Sequence, residues 1–324
     1  MLLPEWDWDS LTELVERGWN TFKLYTTYRQ AGLFTSWPRL EEVMARLASL
    51  GVTVLLHCED DAVLNGQDPV SVDLGNPWSH SVLRPESAET IAIGRAVALA
   101  EKTGCRLHVV HVSTVAGAET IARARARGVP VTGETGPQYL LLDRGRLAGI
   151  NGHRFLCSPP LRASETREAL ERAVLAGALD VLATDHCPFY KVDKDTWSGD
   201  FRAVPTGVAG LGALPGLTHE LLCRAHGRPL GELVERLAAA PARVAGLWPR
   251  KGVIRAGADA DLVVASQDGP PVAVRSTSAD VWETYAGFTS SLEIRHVFLR
   301  GTEVVANGAL VALSDAPGRS LIPA

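Results

Sequence analysis

Along roughly the first two thirds of the chain, hydrophobic positions come in blocks of two different periods. Apolar, aromatic and β-branched runs at 21–28, 51–57, 105–112, 129–134 and 179–183 read as strands. The segments 9–18, 40–50, 86–103, 116–128 and 165–178 read as helices. The first of these opens on Asp9 and Ser10 and stops at Gly18, a capped amphipathic pattern. Helix and strand alternate five times with no hairpin signal between them, which predicts right-handed βα units around a parallel sheet or barrel.

After Asp185 a loop rich in Gly, Asp and Lys runs to about Gly210, and helical segments follow to Leu247. From Lys251 the texture changes to short strands at 252–254, 261–265, 294–301 and 303–308, separated by Gly, Asp and Asn turns. We read 1–250 as the α/β part and 251–324 as a small β-sandwich-like domain. The length of 324 residues suits one large domain and a small one. Apolar residues at 46% and charged residues at 21% describe an ordinary globular chain. A net charge of −5 without a Lys/Arg block offers no face for nucleic acid, and no apolar run approaches the ~20 residues of a membrane helix. The opening residues 1–7 have neither a basic start nor a long apolar core, so no secretory signal is expected there. The five cysteines (Cys58, Cys105, Cys157, Cys187, Cys223) form no C-x-x-C pair, which argues against a disulfide framework or thiolate zinc and for a cytoplasmic location.

Candidate chemistry gathers at strand ends. Asp185 follows the apolar run 179–183, and Pro188 stops that strand from continuing. A carboxylate at the mouth of a buried strand needs a cationic partner, although a strand-ending Asp more often caps the next loop. Lys23, His57 and His111 also lie at or near strand ends, and the four are separated by 34, 54 and 74 positions. With about 30 residues per βα unit, they fit strands n, n+1, n+2 and n+4 of one barrel, whose strand ends converge on a single mouth. Two imidazoles and a carboxylate suit Zn²⁺ or another divalent ion. A lysine repels a metal as an ammonium, but as a carbamate formed with CO₂ it becomes an oxygen ligand able to bridge two ions. The bland readings are a solvated lysine and structural histidines. His108 is expected to face away from His111, and His80, His153, His186 and His296 take structural roles.

Several stretches, in this order, resemble the motifs of hydantoinases and dihydropyrimidinases, cyclic amidohydrolases of the amidohydrolase superfamily. They are Phe22-Lys23-Leu24-Tyr25-Thr26-Thr27-Tyr28, Leu56-His57-Cys58-Glu59-Asp60, His108-Val109-Val110-His111-Val112-Ser113-Thr114, Glu134-Thr135-Gly136-Pro137-Gln138-Tyr139-Leu140, Cys157-Ser158-Pro159-Pro160-Leu161-Arg162 and Thr184-Asp185-His186-Cys187-Pro188-Phe189. His57-Cys58-Glu59-Asp60 is equally like a dihydroorotase. The resemblance spans nearly the whole chain. It implies that Lys23 is a carboxylated lysine bridging two zinc ions, that His57 and His111 hold one of them, and that Asp185 ligates the other and shuttles the proton. Tyr28 is implied as the hydrogen-bond donor to the oxyanion, and Ser158 with the backbone near Thr206 as the holder of the ring amide. Gly136 stands where the family usually has Cys, and Thr206 where it usually has Asn.

The resemblance also marks an omission. The family's His-x-His pair at the end of barrel strand one has no counterpart here. The implied fold is therefore a (β/α)8 TIM-type barrel represented only by strands four to eight, followed by the C-terminal part of a small β-sandwich. Three explanations remain open: part of a longer enzyme, a shortened protein whose open edges are covered by self-association, or an unrelated α/β protein. The implied activity is hydrolysis of a cyclic amide by metal-bound hydroxide, on hydantoins or dihydropyrimidines, with allantoin and dihydroorotate as further substrate classes. The alternative is a non-catalytic, oligomerising scaffold. Partners expected are the small ring substrate and either further copies of the chain or a complementing N-terminal segment.

Overall fold

The structure, a computed structural model, describes residues 1–2, 6–276, 280–312 and 318–321. Residues 3–5, within the opening read as lacking a secretion signal, and 277–279, 313–317 and 322–324, within the segment read as sandwich, lie outside the described residues. The chain divides into two compact units, Met1–Leu211 with Thr277–Thr284, and Gly212–Ser276 with Tyr285–Ala324. No helix among the described residues is long and apolar enough to cross a membrane.

In the first unit the elements run α1 (Trp8–Glu16), β1 (Thr21–Tyr25), α2 (Trp37–Ser49), β2 (Thr53–His57), α3 (Asp61–Asn65), α4 (Ser79–Leu83), α5 (Glu86–Thr103), β3 (Arg106–Val109), α6 (Val115–Ala126), β4 (Val131–Thr135), α7 (Pro137–Leu141), α8 (Ser164–Leu175), β5 (Val181–Leu182) and α9 (Lys191–Lys194). The five strands form one sheet in sequence order, every neighbouring pair parallel. This is the α/β arrangement that the alternating pattern predicts.

Helix boundaries follow local chemistry. Ser36 caps α2, its side chain accepting from the Arg39 amide, and Pro38 stands in the first turn. Leu40, Val43, Met44 and Leu47 then repeat at the spacing of one helical face, and all four are buried where α2 packs on β2 and α5. Helix α5 carries Glu86 and Glu89 in its first turn, Lys102 in its last, and ends on Gly104 at φ 70°. Thr114 caps α6 through the Gly117 amide.

Register fixes which side chains share a face. Leu24, Leu56, Val109 and Gly133 stand in one row. A Cβ on Gly133 would meet Ile121 of α6 at 2.9 Å, so this row faces the helices. Lys23, Leu55, His108 and Thr132 form the next row and point to the opposite face. The expectation that His108 turns away is therefore corrected: it shares the sheet face of Lys23. Alternation cannot be counted from His108 to His111, because the chain leaves the ladder after Val109 and His111 adopts φ 44°.

The second unit contains helices α10 (Leu214–His219), α11 (Leu230–Val234) and α12 (Ala240–Val244). Its strands are β6 (Leu262–Ser266), β7 (Val272–Ala273), β8 (Thr289–Ser290), β9 (Glu293–Leu299), β10 (Thr302–Ala306) and β11 (Ala309–Leu310). They form a four-stranded antiparallel sheet, β11-β10-β9-β6, and a two-stranded ribbon, β7-β8. The strand expected at 252–254 is absent: the segment has no ladder partner, and Ile254 is largely exposed.

Replacing Leu47, fully buried between α2 and the sheet, by Ala should destabilise the first unit by about 2–5 kcal/mol. Urea unfolding should show a lower midpoint at unchanged slope.

Candidate active site

All five strands run the same way, so their C-terminal ends share one rim, and the sequence-selected residues gather there. Lys23 lies on β1, His57 closes β2, and His111 and Asp185 stand just beyond β3 and β5. Tyr28, His111 and Asp185 each adopt a left-handed backbone, with φ 67°, 44° and 46°. For residues other than glycine this conformation is uncommon and strained, and it clusters at functional sites.

His57 and His111 meet ring to ring, with Nδ1 of His57 2.9 Å from Nε2 of His111. The other nitrogen of His57, Nε2, lies 2.8 Å from Oε2 of Glu59, a carboxylate with no exposed surface. Glu59 in turn receives Nε of Arg84 at 3.1 Å and a second, shorter bond from Nη2 of Arg84. This pairing with Arg84 and His57 overrides the cost of burial and holds the Glu59 carboxyl well below the usual range. Burial dominates for the imidazoles: His57 falls to about 4 and His111 lies well below its ordinary value. Both rings are neutral at pH 7.

The Lys23 ammonium, largely stripped of water, is pulled down to about 8, while the carboxylates of Asp185 and Glu134 partly hold it up. Asp185 is driven the other way, to about 7, by its own burial against the pull of Lys23, with Glu134 adding to the rise. Glu134 also takes part in holding His108, whose Nε2 lies 3.1 Å from Oε2 of Glu134 and whose Nδ1 lies 2.8 Å from Oγ1 of Thr132.

Tyr28 joins this cluster from the β1 side. Its ring lies 5.0 Å from that of His57, and its hydroxyl is 3.5 Å from Nη2 of Arg84 and bonded to Ser158. Burial raises it to about 12, so the hydroxyl keeps its proton. Ser158 stands in a segment held at the carbonyls on either side of it: His80 Nε2 is 2.9 Å from Cys157 O and 3.4 Å from Ser158 Oγ, and the Tyr139 hydroxyl donates to Pro159 O at 2.8 Å. Thr206 is exposed, and the next amide, Gly207 N–H, donates to Leu156 O at 2.8 Å. The Ser158 and Thr206 segments are thus adjacent. At Gly136 a Cβ would come within 2.9 Å of Ala183 O and closer still to Gln138, so a larger residue there would require the Gln138 side chain and the end of β5 to shift.

Three other histidines are engaged elsewhere. Nδ1 of His186 accepts the Gly210 and Leu211 amides, His153 meets Asp195, and His296 meets Glu303. Glu59, Arg84 and Glu134 had no assigned role from sequence. Glu59 and Glu134 lie inside motifs already singled out, and two-residue alternation places Glu134 on the Lys23 face.

A divalent ion fits the imidazole pair. Two nitrogens bound at about 2.0–2.1 Å to a tetrahedral ion stand about 3.3 Å apart, close to the separation here, and a carboxylate behind a metal-binding histidine is the usual second support. Among the described residues no group of three or more His, Cys, Asp or Glu side chains is arranged to hold a metal.

The model of the amidohydrolase family matches residues 86–304, and that of the dihydro-orotase-like family matches 27–116. The chain is 35% identical over 318 residues to a D-hydantoinase of Streptomyces coelicolor, covering 94% of this chain and 67% of the relative. It is 33% identical over 313 residues to a D-phenylhydantoinase of Escherichia coli O81, covering 93% and 66%. Among solved structures, a D-hydantoinase (dihydropyrimidinase) from Thermus sp. superposes with TM-score 0.90 at 27% identity, over 97% of this chain and 70% of that one. The chain spans about two thirds of the length of the curated relatives it matches.

Buried His80 titrates near 4, against its ordinary 6.5, through loss of solvent. Between those values the unfolded chain binds a proton that the folded chain refuses, so stability is lost as pH falls through this window. Going from pH 7 to pH 5, the wild type should lose about 2 kcal/mol more than His80→Gln, read from urea unfolding at both values.

Proposed function

The chain belongs to the amidohydrolase family, within its hydantoinase and dihydropyrimidinase branch, and from that premise we propose that it hydrolyses a C–N bond of a small cyclic amide with a divalent metal, zinc foremost. The observation that carries this reading is the facing pair His57 and His111, braced by Glu59, on the rim shared with Lys23 and Asp185. Neutral imidazoles are the protonation state that metal binding needs. Lys23 would add oxygen donors as its CO₂-derived carbamate. CO₂ reacts only with the free amine, and burial gives Lys23 an uncharged fraction near neutral pH. When bound, the ion polarises the ring carbonyl and acidifies water.

The chain's own groups perform the rest. Asp185, titrating near 7, is placed to take a proton from water and return it to the leaving ring nitrogen, since its two protonation states are nearly balanced. The Tyr28 hydroxyl stays protonated and donates to the oxygen that gains charge as the carbonyl is attacked. Ser158 and the backbone beside Thr206 hold the ring amide. Hydantoins and dihydropyrimidines are the substrates in view, with allantoin and dihydroorotate as further classes.

In family terms, 1–250 is the barrel portion, built from the later strands, and 251–324 the sandwich portion. The outer edge of β5 favours further pairing, whereas on β1 the Lys23 and Tyr25 carbonyls already accept the Leu2 and Thr35 amides; self-association or a complementing segment belongs to the same reading. A cytoplasmic location suits the five cysteines, of which Cys58, Cys105 and Cys157 are buried. A non-catalytic scaffold is the outcome that a metal-free, inactive oligomer would establish.

Lys23→Ala should lower bound zinc per chain, measured by elemental analysis, and reduce ring opening by about 10²-fold or more, whereas Asp185→Asn should cut turnover by about 10²–10⁴-fold. Unchanged metal content and turnover in Lys23→Ala would end this assignment.

A further inference from the structure

Lys194 closes α9 in a polar loop, between Asp193 and Asp195, where a solvated lysine is the ordinary choice. Its side chain is only 1% exposed. The ammonium donates to Leu156 O at 3.1 Å and to Pro205 O at 2.7 Å, and the Phe189 ring lies 5.4 Å away. No carboxylate pairs with it among the described residues. The adjacent Asp195 is engaged by Arg154, with Nε and Nη2 each at 2.7 Å, and by His153 at 3.3 Å. A buried cation without a counter-ion is costly, and backbone carbonyls are what compensate it here.

Those two carbonyls belong to different arms. Leu156 stands two residues before Ser158, and Pro205 directly precedes Thr206. The arms also meet through the Gly207 amide and Leu156 O at 2.8 Å. Other carbonyls of the Ser158 arm are held from outside the pair, Cys157 by His80 and Pro159 by Tyr139. Lys194 differs in reaching both arms with one charged group. Its own position is pinned by the Asp195–Arg154 pair and by the stacking of His153 on Trp197 at 5.4 Å.

We propose that Lys194 is a positioning residue for the ring substrate: its ammonium fixes the spacing of 156–158 against 205–207, and with it the width of the slot that grips a planar cyclic amide. The inference rests on the substrate-binding role proposed above for Ser158 and Thr206. The lysine acts through backbone and touches neither the reacting ring nor the metal donors. Charge-assisted bonds from a single ammonium hold two carbonyls more tightly than neutral contacts of the same length.

Two variants test this. Lys194→Met keeps the volume and removes the donors, whereas Lys194→Gln keeps two N–H groups without the charge. For a hydantoin or a dihydropyrimidine, Lys194→Met should raise KM about tenfold or more with kcat within about threefold, and Lys194→Gln should recover part of the loss. Amide hydrogen exchange gives a readout independent of turnover: Gly207 should exchange faster in Lys194→Met, while amides of β2 and β3 stay as protected as in the wild type. Unchanged KM with unchanged Gly207 exchange would overturn the proposal. A loss of protection spread over the whole unit, or failure of both variants to fold, would also overturn it, making the lysine a structural anchor. If the wild type opens no ring, the proposed function fails while Gly207 exchange still decides whether Lys194 joins the two arms.

Discussion

A parallel sheet ends all of its strands at one edge, and in this protein that edge is where charge is taken out of water. Glu59 is the point on which the arrangement turns. Fully buried, it would be untenable alone, and it is stabilised by the Arg84 guanidinium on one side and the His57 ring on the other. That single carboxylate fixes the orientation of His57, leaves its Nδ1 directed at His111, and places Arg84 beside the Tyr28 hydroxyl. Removing it would strand a half-buried guanidinium and free the imidazole at once, so support of the fold and geometry of the site are the same interaction.

A second balance operates a few ångströms along the rim. Lys23, Asp185 and Glu134 share a poorly hydrated region with one potential cation and two potential anions. Lys23 and Asp185 shift toward their neutral forms, to about 8 and about 7. A lysine that yields its proton readily and a carboxyl that can hold one near neutrality are what carbamate formation and proton shuttling respectively require. Burial, rather than any one partner, is the leading cause in both, which ties the chemistry to the depth of the rim.

How much of this was legible in the sequence depended on range. Helix α5 is readable to the residue because local signals bound it, acidic residues at its start and Gly104 at its end. Strand order followed from alternation, since right-handed βα units leave few topologies. The convergence of Lys23, His57, His111 and Asp185 was readable because strand ends of a parallel sheet must meet. The chain leaves the ladder after Val109 and turns left-handed at His111, so the three-residue spacing does not set the face of His108 relative to His111. Segment 252–254 has a strand-like composition but no neighbour to pair with, and composition alone does not supply one. Lys194 was invisible for the opposite reason: its surroundings are polar in sequence, and only the approach of Leu156 and Pro205 buries it. Arg84 was hidden likewise, 25 positions from the carboxylate it neutralises.

The left-handed backbones of Tyr28, His111 and Asp185 show how this local demand is met. Each costs on the order of 1–3 kcal/mol. Each is also bracketed by hydrogen bonds denser than a loop needs. Before Tyr28, the Thr26 hydroxyl shares its one proton between His57 O at 2.9 Å and Glu59 O at 2.8 Å and receives the Glu59 amide, stitching the β1 and β2 ends together. After His111, buried Glu89 accepts the Ser113 and Thr114 amides and both hydroxyls, and Arg162 closes over Ser113 at 2.9 Å. After Asp185, the His186 ring accepts the Gly210 and Leu211 amides. With net hydrogen bonds worth about 0.5–1.5 kcal/mol each, and more where charge is involved, two to five of them offset a strained residue. The polar residues surrounding the site are therefore what lets three side chains leave their strands at angles that an ordinary strand exit does not provide.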